Sequence, residues 1–292
     1  MNILTFDIEE WYLERRDQGN RAERIAEYDR LLGEILDLLD ERGMKGTFFC
    51  VGAMTESFPH IVRLIDSRGH EVGCHSYLHT WLNKMTREQA LDDTCRAVDS
   101  LEQCLGKKIL SYRAPAFSIG QSNPWALEVL AECGIERDAS IFPAARDFGG
   151  FPGFGHKTPV IIERGDIKLK EFPISTTTII GKELAYSGGG YFRFFPLWFV
   201  RREMSKSDYA MCYFHLADLI PESSRMMTRA AYEAYFKENG TWLNRYKRHL
   251  KTNLGKRGAY AKLRTLISTT SFLNLTQANE TIDWPNTPTI KL

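Results

Sequence analysis

The chain predicts an α/β fold: a parallel sheet, closed or nearly closed into a barrel, with a helical extension at its C-terminal end. Short apolar runs recur through the first two-thirds of the sequence, helix-period patterns separate them, and the connections are short. A length of 292 residues suits a single α/β barrel.

The strand-like runs are Asn2–Ile8, Gly46–Val51, Glu71–His75, Ile109–Arg113, Ile135–Ser140, Ile167–Ile174 and Tyr209–His215. Helical patterns lie between them at Arg21–Glu41, Glu56–Arg68, Arg87–Leu105 and Asn123–Cys133. In the first of these, Ile25, Leu31, Leu32, Ile35, Leu36, Leu38 and Leu39 recur on a helical period. Thr86 and Gln89 form a capping-box pair ahead of the third, and Gly43, Gly69 and Gly106 stand where helices should stop. The alternation breaks between Pro143 and Thr158, where glycines and aromatics predict an ordered loop over a site. Ser187-Gly188-Gly189-Gly190 lacks the Lys-Ser/Thr of a phosphate loop, so it serves a tight turn or a close backbone approach. Beyond His215 the pattern is helical. Residues 1–220 are therefore expected to form the body, with 221–292 a helical extension packed on it.

Composition excludes several classes. A net charge of +1 gives no global reason to expect nucleic acid. No apolar run approaches the roughly 20 residues of a membrane span, and no signal peptide is visible after Met1. The six cysteines show no CxxC pair and read as buried free thiols of a reducing compartment, which makes cytoplasm the expected location.

Two motifs carry chemistry. In Thr5-Phe6-Asp7-Ile8-Glu9-Glu10-Trp11, strand alternation puts Asp7 and Glu9 on one face. His75 and His79, in His75-Ser76-Tyr77-Leu78-His79, are close enough to share an ion. Two histidines and a carboxylate with an open position activate water near neutral pH, which is hydrolase chemistry. Such ligands suit zinc, with Co2+, Ni2+, Mn2+ or Fe2+ as alternatives. Arg113 and His215 each end a strand-like run, and Cys74 should point away from His75 into the core. Trp11, Tyr77, Trp81, Phe117, Tyr191 and Phe192 flank the motifs, most as core residues and one or two as a sugar platform.

With Tyr112-Arg113-Ala114-Pro115 and Tyr213-Phe214-His215-Leu216 added, these motifs in this order resemble the polysaccharide deacetylase (NodB-homology) family, carbohydrate esterase family four, over roughly residues 1–220. The glycine cluster, the segment Asp138–Pro143 and the tail resemble its bacterial subgroup linked to exopolysaccharide and capsule synthesis. The resemblance implies a distorted (β/α)7-type barrel and one divalent metal held by Glu9, His75 and His79. It implies Asp7 as base, Arg113 holding Asp7 charged and aimed, and His215 as acid. The chain departs from the family at two points. The usual second aspartate is replaced by Glu9 one residue on, and the acidic residue followed by tryptophan is absent. Glu171, or after it Asp138, is the carboxylate expected beside His215.

The expected activity is removal of N-acetyl groups from a sugar in cell-surface polysaccharide (capsule, exopolysaccharide or lipopolysaccharide) biosynthesis. The competing readings are an allantoinase- or imidase-like hydrolase of a small amide, and a catalytically silent glycan-binding homologue. The expected partner is an N-acetylated sugar or glycan. Arg245–Arg264 holds eight Lys/Arg and no acid. That segment reads as a solvated helix face, or as a peripheral contact with the inner membrane face.

Overall fold

The computed structural model describes residues 1–14, 21–146, 148–221, 225–236 and 238–292. The first five strands are β1 (Asn2–Ile8), β2 (Thr47–Cys50), β3 (Glu71–Cys74), β4 (Ser111–Tyr112) and β5 (Arg137–Asp138). Next come β6 (Val160–Arg164), β7 (Ile167–Glu171), β8 (Thr176–Ile179), β9 (Lys182–Ala185), β10 (Ala210–His215) and β11 (Thr289–Lys291). Nine of them form one sheet in the order β10-β1-β2-β3-β4-β5-β7-β6-β11, and β8 and β9 form a separate hairpin. Every pairing in the large sheet is parallel except β6 with β7. Among the described residues no ladder joins β10 to β11, so the barrel is curved and open at that seam.

All seven sequence-predicted strands are present. The extension is not wholly helical, because its last residues add β11 beside β6. The pattern read as one helix over Glu56–Arg68 is two, Met54–Ser57 and Pro59–Ser67, since Pro59 cannot continue the first and instead starts the second. The helix Arg87–Leu105 has the expected capping box from Thr86 and Gln89 and ends on left-handed Gly106.

Strand alternation sorts the core into two sides. Leu4, Phe6, Ile8, Phe48, Cys50, Cys74, Cys212 and Phe214 pack outward against the helices. Ile3, Phe49, Met211, Tyr213 and Phe172 fill the opposite, inner side. Every chemistry-bearing residue read from the sequence lies on or just after a strand of this sheet. The glycine cluster serves the sheet too: a Cβ on Gly188 would sit 2.2 Å from the Tyr213 ring, so only glycine lets this backbone lie against β10. The expectation of free cysteines fails at one place. Cys95 and Cys133, on facing helices, are disulfide-bonded, leaving Cys50, Cys74, Cys104 and Cys212 free.

Candidate active site

The C-terminal ends of β1, β3, β4 and β10 meet at one edge of the sheet. Parallel register sets Asp7 of β1 beside His215 of β10, and His215 Nε2 lies 3.5 Å from Asp7 Oδ2. Arg113, directly after β4, is fully buried. Its Nη1 donates to Asp7 Oδ1 at 2.9 Å and to Thr5 Oγ1 at 2.7 Å, while Nε donates to the Ala139 carbonyl at 3.1 Å. The guanidinium also lies 4.4 Å over the Phe49 ring. A cation held this firmly fixes the aim of the buried Asp7 carboxylate.

Glu9, one residue past β1, turns to meet the loop after β3. Its Oε2 is 2.5 Å from His79 Nε2 and 3.4 Å from His75 Nε2. Ser76 and His79 adopt left-handed backbone (φ 65° and 55°), which folds the loop tightly enough to point both rings inward. Asp93 clamps that loop from the helix Arg87–Leu105, accepting from the amides of Tyr77 at 2.8 Å and Leu78 at 3.3 Å. Ser76 Oγ accepts from the Thr80 amide, a structural role.

The donor set fits a divalent cation. His75 Nδ1 donates to the Arg113 carbonyl at 2.7 Å, which fixes its proton there and leaves Nε2 with a free lone pair. That Nε2 is buried and has no hydrogen-bond partner among the described residues. One atom each from Glu9, His75 and His79 lies within 4.8 Å of the others. Burial by itself raises the Glu9 carboxyl. The charges of His79 and His215 and the hydrogen bond from His79 outweigh it and hold Glu9 well below its usual range. Glu10 shares no part of this. It is buried facing the other way, accepts from the Ala217 amide at 2.8 Å, and is raised to about 7 by burial and by Glu9.

His215 has a carboxylate partner, and it is neither Glu171 nor Asp138. Asp218 Oδ2 lies 3.2 Å from His215 Nδ1, carried by the single helical turn Leu216–Leu219. Burial opposes charging the ring, but Glu9, Asp218 and Asp7 together raise His215 to about 10. A cation on Glu9 would cancel part of that field and bring the value down. The spacing His215-Leu-Ala-Asp218 was the available signal for this pair. For Asp93 the signal was a lone acid on the apolar side of a helix.

Glu171 and Asp138 instead form a buried pair across β5 and β7. Glu171 Oε1 accepts from the Ile141 amide at 3.1 Å and Asp138 Oδ1 from Ser140 Oγ at 2.5 Å. Among the described residues their other oxygens have no partner beyond each other, so the pair shares a proton. Burial pushes Asp138 up to about 6, and burial with the Asp138 charge pushes Glu171 well above its usual range. The folded state therefore binds protons more tightly than the unfolded chain. This stability is full below about pH 4, the unfolded value, and is lost as pH rises through about 6. Asp138→Asn, which keeps the shape without ionising, is expected to flatten the fall in Tm across that window. A Tm–pH profile parallel to wild type would refute the shared proton.

Of the flanking aromatics, Trp11, Tyr77, Phe117 and Phe192 are buried in the core. Trp81, two residues after His79, packs at a tilt against Phe148 of the glycine-rich loop with ring centroids 5.0 Å apart, so that loop reaches the candidate site.

Residues 4–137 match the polysaccharide deacetylase family, and residues 139–279 match a domain of unknown function, DUF3473. A peptidoglycan-N-acetylglucosamine deacetylase of Bacillus cereus is 30% identical over 115 residues, 37% of this chain and 42% of that protein. A chitin deacetylase of Pestalotiopsis sp is 32% identical over 104 residues, 35% of this chain and 34% of that protein. The matches thus span less than half of either relative. A Mycobacterium smegmatis crystal structure, provisionally described as a polysaccharide deacetylase, superimposes with a TM-score of 0.65 at 18% identity. That superposition covers all of this chain and 92% of the other, so the likeness extends through both halves of the fold.

Proposed function

Since residues 4–137 make the chain a member of the polysaccharide deacetylase family, we propose that it is a metal-dependent hydrolase removing N-acetyl groups from a sugar in cell-surface polysaccharide synthesis. The observation that supports this best is the join of two sets at one sheet edge: Glu9, His75 and His79 on one side, Asp7 with Arg113 and His215 on the other. Glu9, His75 and His79 would hold the metal, which when bound polarises the amide carbonyl and acidifies water. Asp7 takes the proton of the attacking water, held ready as a carboxylate by Arg113. The water oxygen bonds to the carbonyl carbon. His215, oriented by Asp218, gives its proton to the amide nitrogen as the C–N bond breaks. Acetate and the free amine are the products.

Acetate release should be measured on N-acetylated glycans, nucleotide sugars and small amides. Turnover of an N-acetylated sugar, lost in Asp7→Asn, is the expected result. Turnover confined to small amides would overturn the substrate class, and none at all would overturn the activity. Purified protein is expected to hold close to one equivalent of metal by elemental analysis, largely lost in the His75→Ala/His79→Ala variant. Unchanged metal content in that variant would remove these ligands from the site.

A further inference from the structure

The helix Trp242–Asn253 carries its polarity in the reverse sense for one lying on a water-facing body. Its inward side is polar. Arg245 Nη1 donates to the Met227 carbonyl at 3.0 Å, and the Arg248 guanidinium lies 4.6 Å over the rings of both Phe148 and Phe236. Arg193 reaches in from the preceding region to donate to the carbonyls of Lys251 and Thr252. The outward side is apolar. Trp242, Leu243 and Leu250, with Leu254 just past the helix end, are between 47% and 60% exposed. Tyr246 stands between them, its ring stacked on Trp242 at 4.9 Å. Positions 242, 246, 250 and 254 follow the i, i+4 row, so these side chains form one continuous stripe. Phe194 and Trp198, also well exposed, flank the segment that Arg193 ties to the end of this helix.

Charge decides what would cover such a stripe. The chain has no Asp or Glu from Thr241 to Asn279. The eight cations of Arg245–Arg264 are not one solvated face, however. Arg245 and Arg248 turn inward, Lys256 is buried, and Lys262 Nζ donates to the carbonyls of Phe192, Arg193 and Phe195. Lys247, within the helix, and Arg257, three residues past Leu254, remain exposed. Pairing two copies of this face would oppose these cations with no acid in the segment to offset them. An anionic lipid surface complements both features, taking the aromatic and leucine side chains below the headgroups and the cations among them.

We propose that the outward face of Trp242–Leu254 lies in the interface of an anionic bilayer, holding the protein peripherally on the membrane. The test is co-sedimentation of the full chain with phosphatidylcholine vesicles containing phosphatidylglycerol, with pure phosphatidylcholine as control. Wild type is expected to bind the anionic vesicles at low salt, with a blue shift of tryptophan emission. Trp242→Ser/Leu243→Ser/Leu250→Ser should weaken that binding roughly tenfold or more. Lys247→Glu/Arg257→Glu should weaken it and reduce its salt dependence. These side chains are exposed, so thermal melts of both variants should match wild type. The proposal is overturned if wild type stays in the supernatant. It is overturned equally if the serine variant binds as well as wild type. A dimer in light scattering, dispersed by the serine variant without vesicle binding, would assign the face to a second copy instead.

Discussion

Asp7→Asn is expected to lower turnover by about two orders of magnitude or more while leaving the bound metal in place, the loss typical of a missing general base. The amide keeps the carboxylate's shape and can still accept from Arg113 Nη1, so the surroundings need not move. It cannot take a proton from water. Asp7 is also outside the proposed ligand set, which draws on Glu9, His75 and His79. Turnover with elemental analysis on the same preparation checks both halves of the expectation. Near-wild-type turnover would remove Asp7 as the base, and loss of metal would make it a ligand.

The largest effect on stability is expected at Arg113. Arg113→Met removes the cation but leaves Asp7 charged in the interior, and breaking a buried pair from one side costs about 3–5 kcal/mol. Activity should fall with it, because an uncompensated buried carboxylate either takes up a proton or loses its aim. The double variant Asp7→Asn/Arg113→Met separates these effects. With the charge gone as well, much of the lost stability should return, a coupling of a size expected for contacting residues. Chemical denaturation of the four proteins in the cycle measures it. Additive losses would show that Arg113 contributes by packing on Phe49 and by its bonds to Thr5 and Ala139, not by holding a charge.

Most of the site was legible because its residues sit where strand periodicity and local motifs agree. Asp7, His75, Arg113 and His215 each end or directly follow a strand whose apolar run is plain in the sequence. Glu9 and His79 follow from spacing within the same motifs. What was not legible either carried only a weak local signal or depends on distant chain segments. Asp218 occupies a single helical turn with no amphipathic period to announce it, and Glu171 was expected beside His215 only because a family position had to be filled. The pair that Glu171 makes with Asp138 arises from sheet order, which puts β5 beside β7 instead of β6. β6 was missed because it doubles back antiparallel, outside the strand–helix alternation that revealed the others. The Cys95–Cys133 link joins two separate helices and has no spacing signature.

The order of the sheet has a consequence for assembly during synthesis. Glu9, His75, His79 and Asp7, the proposed ligands and base, all come from the first 79 residues, on or beside β1 and β3. The proposed acid, His215, arrives only with β10, which pairs with β1 across a sequence separation of about two hundred residues. A growing chain can therefore gather Glu9, His75 and His79 long before His215 is made. Until β10 closes on β1, that edge of β1 is left unpaired. Docking of β10 thus covers the β1 edge and brings His215 to the candidate site in the same event.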